Sequence, residues 1–61
     1  MNTHEFHSIC TGVKRGEHHT VEHLITHRRA SIVACSGRSF EVDPEGTDAR
    51  QSWDYSNCNE S

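Results

Sequence analysis

The sequence predicts an α+β fold, with one amphipathic helix packed on a small antiparallel sheet of three to four strands in the order β-α-β-β-β. Three observations carry this expectation. Val21, Leu24 and Ile25 recur at the i, i+3, i+4 spacing of a helix face. Phe40 and Val42 alternate with Ser39 and Glu41 just beyond the turn-forming pair Ser36 and Gly37, the pattern of a half-buried hairpin strand. Ala49, Gln51, Trp53 and Tyr55 alternate with Arg50, Ser52 and Asp54, which suits a further strand with an aromatic face.

In chain order, Phe6, Ile9, Cys10 and Val13 lie among Ser and Thr between Glu5 and Val13, with Gly12 and Gly16 as breakers, and read as a short strand. The expected helix runs from Gly16 to Ala30. It lines up His19, His23 and His27 at four-residue steps on its polar side. Ser31 to Cys35 reads as a buried strand and Arg38 to Asp43 as its hairpin partner. Asp43, Pro44, Glu45 and Gly46 have the chemistry of a type I turn, which ends that strand. The segment from Ala49 to Tyr55 follows as the last strand.

A chain of 61 residues is the size at which a hydrophobic core becomes marginal. It is read as a single small domain over residues 1–61, with residues 1–4 and 56–61 expected to be flexible. Leu, Ile, Val and Phe total only ten residues, yet there is one Pro and the net charge is −3, which is not the composition of a disordered chain. Neither a signal-peptide core nor a membrane-spanning apolar run is present in the sequence. The odd number of cysteines, three, excludes a complete set of intramolecular disulfides. The expectation is therefore a soluble, cytoplasmic protein with free thiols, in which Cys10 and Cys35 act as small buried hydrophobes.

Charge is placed unevenly. Residues 43–61 carry Asp43, Glu45, Asp48, Asp54 and Glu60 against Arg50 alone, whereas the rest of the chain is near neutral. Protonation of all six histidines would turn the net charge of −3 into +3, over the range in which imidazole titrates.

Four kinds of chemistry compete for these residues. Catalysis has the weakest support: the chain has no phosphate-binding Gly-rich loop and no nucleophile elbow, and its size leaves little room for a cleft. No cofactor is expected. Zinc is the alternative, through His19, His23 and His27 with Cys10 and Cys35, although cysteines more than twenty residues apart do not match the usual paired ligand spacing. Lys14, Arg15, Arg28, Arg29 and Arg38 would suit nucleic acid if they formed one patch. Against this stand the negative net charge and the absence of a known nucleic-acid-binding signature.

The favoured reading is a non-enzymatic protein-binding module, a stoichiometric regulator or inhibitor of a larger protein or a nucleic-acid-processing complex. Its expected contact residues are Asp43, Glu45, Asp48, Trp53, Asp54 and Tyr55, aromatic anchors within an acidic surround that would occlude a basic site. A protein partner or a homodimer is expected, since a marginal core benefits from added buried surface. Nucleic acid is the secondary partner, and no membrane is expected.

Overall fold

The computed structural model describes residues 1–46 and 49–61. Its first element is the helix α1, Thr3–Lys14, in the segment whose sequence reads as a strand. The correction has local causes. Phe6, Ile9, Cys10 and Val13 are spaced i, i+3, i+4, i+7, a full helical stripe, and Phe6, Ile9 and Cys10 are buried. Asn2 caps the helix by accepting a hydrogen bond from the Glu5 amide (2.8 Å). Glu5 lies in the first turn and Lys14 in the last, both favourable to the helix dipole. Gly16, at φ 91°, follows the Arg15 cap, the left-handed position that ends many helices.

The expected helix over residues 16–30 is instead a strand, β1 (Thr20–His23), followed by a tight turn. Only Val21 of the supposed apolar stripe is buried; Leu24 is 42 % and Ile25 74 % exposed. The strands β2 (Arg29–Ser36), β3 (Ser39–Pro44), β4 (Gln51–Asp54) and β5 (Cys58–Glu60) complete the sheet, with a 3-10 turn at Tyr55–Asn57. The α+β class holds, with one helix and five antiparallel strands, but helix and first strand have exchanged places. The hairpin is also present, displaced by one residue. Ser36 pairs with Ser39, and Gly37 with Arg38 forms the two-residue loop. Gly37 has φ 58°, as the first central position of a type II′ turn requires.

The strand order is β4-β3-β2-β1-β5. In a flat sheet β4 and β5 would stand about 19 Å apart, four interstrand spacings. Here only the 3-10 turn separates them in the chain, and the Cys58 thiol donates to the Asp54 carbonyl at 3.5 Å. The sheet therefore curls until its edges approach. A bulge between Ile32 and Ala34 adds local twist and bend. His23 and Trp53, on strands at opposite sides of the sheet, meet edge to face with ring centroids 5.0 Å apart.

The concave side holds the core. Phe40 pairs across the sheet with Cys35 and Trp53, and Val42 with Ile32, which sets these side chains on one face. The helix lays Phe6 on Phe40 (centroids 5.1 Å) and on Tyr55 (4.7 Å). Cys10 and Cys35 form a disulfide across the helix–sheet boundary, so the expectation of three free thiols is corrected. Cys58 alone is free, and it is fully buried. Both ends of the chain make defined contacts. The Met1 amino group donates to the Cys58 carbonyl (3.1 Å), and Cys58–Glu60 pair with β1.

Candidate functional site

The uncovered outer face of the sheet carries a row of carboxylates. Ser39, Glu41 and Asp43 alternate with the core residues of β3, while Asp54 of β4 stands beside Ser39 and Ser52 beside Glu41. Successive outward positions on a strand lie about 7 Å apart. Asp54, Glu41 and Asp43 thus form a stripe of negative charge along β3, with Glu45 exposed beyond its end. Arg50 closes one end of the stripe through a 3.3 Å contact with Asp43. Glu41 is the member that the sequence reading omitted, although its alternation with Phe40 and Val42 places it beside Asp43.

The aromatic half of the expected site is not on this face. Trp53 is 7 % exposed and belongs to the core, with its Nε1–H donating to Gln51 Oε1 at 3.1 Å. Tyr55 lies in the 3-10 turn, stacked on Phe6 and bonded to the Thr3 hydroxyl (3.1 Å). Arg38 covers its ring at 5.5 Å. The Thr3 hydrogen bond and the Arg38 charge bring the Tyr55 phenol below its ordinary range. Trp53 is thus a core residue, and Tyr55 is half-buried against Phe6. Asp48 lies outside the described residues.

Asp54 has a structural task as well. Its carboxylate accepts from the Ser56 hydroxyl (2.7 Å) and the Ser56 amide (2.9 Å). These bonds, with help from Arg38, hold its pKa below the ordinary 3.8. A depressed folded-state pKa adds stability above the unfolded value and loses it as pH falls through the folded value. The expected result is that Asp54→Ala melts lower than the wild type at neutral pH, and that the gap narrows as the pH falls below the ordinary carboxylate range. Thermal melts across pH 2–7 check this, and a gap independent of pH would exclude the charge as its cause.

The expected metal ligands are dispersed. His19 lies between Glu17 (3.1 Å) and Glu60 (3.5 Å). This pair packs so closely on α1 that a Cβ at Gly12 would come within 2.5 Å of Glu17 Oε1 and 2.7 Å of His19 Nε2. The His23 ring packs on Trp53 and accepts from the Ile25 amide at 3.2 Å, while His27 contacts Glu22 at 3.1 Å. The Cys10 and Cys35 sulfurs are joined to each other. His19 precedes β1, His23 ends it and His27 follows the turn, instead of the three sharing one helix face, and among the described residues no group of three or more His, Cys, Asp or Glu side chains is placed to hold a metal ion.

The basic residues do not form a single patch either. Arg28 and Arg29 stand at the start of β2, and Arg38 follows its other end, about 23 Å away at seven strand steps. That span is close to the longest dimension of the molecule, 26 Å. Lys14 shares a hollow with Cys35 and Gly37 at the Arg38 end, while Arg15 borders a separate hollow with His4 and Glu17. Among the described residues, no helix is long and apolar enough to cross a membrane. No family model, no curated protein and no solved structure matches the chain.

Proposed function

We propose that this chain is a small, non-enzymatic protein-binding module that engages a basic segment of its partner with the outer face of β3 and β4, acting as a stoichiometric regulator or inhibitor. The observation that supports it is the alignment of Glu41, Asp43 and Asp54 on one face that α1 does not cover. Complementary charge steers association and sets partner choice more than it sets affinity. A regulator of this kind works by occupying a basic site that another ligand needs. The reading retains the acidic part of the expected surface and omits Trp53 and Tyr55. The Cys10–Cys35 bond suits an oxidising setting better than the cytoplasmic one, because disulfides persist where thiols are not kept reduced.

The test uses a synthetic Lys/Arg-rich peptide and a duplex oligonucleotide of equal length. Binding of the peptide, weakening with salt and falling about tenfold in Glu41→Gln plus Asp43→Asn, is the expected result, at about 0.5–1 kcal/mol for each exposed pair. Binding of the oligonucleotide in preference to the peptide would overturn it.

A further inference from the structure

Among the described residues the exposed large hydrophobic side chains are Leu24, Ile25 and Val33, and the first two sit side by side in the β1–β2 turn. That turn is firmly held. The Ile25 amide donates to His23 Nδ1 (3.2 Å), the His27 amide to the His23 carbonyl (2.8 Å) and the Arg28 amide to Thr26 Oγ1 (3.3 Å). The Leu24 amide donates to the Asn57 carbonyl (2.8 Å), which ties the turn to the segment before β5. His27 adopts φ 59°, a left-handed conformation uncommon for a non-glycine residue. Leu24 and Ile25 are thus presented outward by a pre-ordered backbone, which lowers the entropic cost of using them in a contact.

The same end of the sheet carries charges of both signs. Arg28 and Arg29 lead into β2, and the end of β3 lies alongside. Ser31 pairs with Asp43 and Ala30 with Pro44, and the Glu45 amide donates to the Arg29 carbonyl at 3.0 Å. Asp43 and Glu45 are therefore one strand over from Arg28 and Arg29, and all four are exposed. Gly46, at φ 78°, follows Glu45 in the chain, with open space where a side chain would stand. Across this end the acidic pair, the basic pair and the apolar pair stand in that order.

The adjacent acidic and basic pairs are self-complementary under a two-fold rotation, because each meets its opposite in the other copy. We propose that this end of the sheet is a homodimer interface. A two-fold axis between the ends of β2 and β3 sets Arg28 and Arg29 of one copy against Asp43 and Glu45 of the second. Leu24 and Ile25 of each copy then flank the end of β3 in the other. Asp43 and Glu45 are then shared with the interface, while Glu41 and Asp54 of each copy stay on the open outer face. Dimerisation is read by sedimentation and peptide capture by affinity, and Glu41→Gln alone leaves the interface charges in place.

Sedimentation equilibrium of the full chain is expected to show a concentration-dependent dimer, with Ile25→Asp raising the dissociation constant about tenfold or more. Ile25 is 74 % exposed, so the variant keeps the wild-type fold, verified by its circular dichroism. Arg28→Glu and Glu45→Arg, each alone, should be monomeric, and an equimolar mixture of the two should recover a heterodimer. A wild-type monomer at about millimolar concentration, where the weakest specific complexes still form, would overturn the proposal. So would an unchanged dimer in Ile25→Asp, or monomers persisting in the charge-reversed mixture.

Discussion

Reduction of the Cys10–Cys35 disulfide is expected to lower the stability of the fold by about 3 kcal/mol, enough to bring it close to unfolding. The bond joins residues 25 positions apart, and restricting a denatured chain with a loop of this length contributes about 3–3.5 kcal/mol on the chain-entropy account. A chain of 61 residues has a total stability of about 3–9 kcal/mol at the usual value per residue. The disulfide is also the only covalent tie between α1 and the sheet among the described residues, so its loss leaves the helix held by Phe6, Ile9 and the contacts of Met1 and Thr3. The expected fall in melting temperature is about 12–25 °C for a domain this small. Melts of the oxidised chain, the reduced chain and Cys10→Ser plus Cys35→Ser measure it, and agreement between the oxidised chain and the double variant would refute the assignment. Thiol titration supplies an independent count. Burial pushes the Cys58 thiol up from its ordinary range, so the folded oxidised protein should expose no reactive thiol. Denaturation should release one, and denaturation with reductant three.

Phe40→Ala is expected to cost about 3–5 kcal/mol, the range for removing a large aromatic from a packed core, and to leave the chain largely unfolded at 25 °C. Phe40 is fully buried at the point where the layers meet. It faces Cys35 on β2 and Trp53 on β4, and the Phe6 ring descends on it from α1. Two of its neighbours are held in place, Cys35 by the disulfide and Trp53 by the hydrogen bond to Gln51. Ile25→Ala, a truncation of similar chemistry at an exposed position, should change the stability of the monomer by less than about 0.5 kcal/mol. Urea unfolding of both variants tests the contrast. Equal losses would mean that the core is not centred on Phe40.

The hairpin from β2 to β3 was legible because its signals are local and agree: a Gly that accepts positive φ, β-branched and aromatic residues, and strict alternation. The same alternation places Glu41 beside Asp43 on the outer face. The first thirty residues were harder to read, since they contain two segments with helical spacing and only one becomes a helix. Phe6, Ile9, Cys10 and Val13 complete a four-point stripe, and Asn2 with Glu5 supplies the cap. Val21, Leu24 and Ile25 give only three points, among Thr and His residues of modest helix propensity. Greater weight on the cap would have favoured the first segment.

Composition and alternation alone determined the α+β class, the hairpin, the membership of Phe40 and Val42 in a buried face, and the concentration of acid in the last third. These depend on neighbours within a few residues. The tertiary structure decided that Cys10 bonds to Cys35, that Trp53 turns inward against His23, and that the basic residues separate to opposite ends of β2. It also decided that Leu24 and Ile25 face solvent. Each of these outcomes depends on the curl that brings β4 and β5 together and on the docking of α1 inside that curl. A helical or strand period specifies which residues share a face, but what covers that face is settled only when distant segments compete for the same concave surface.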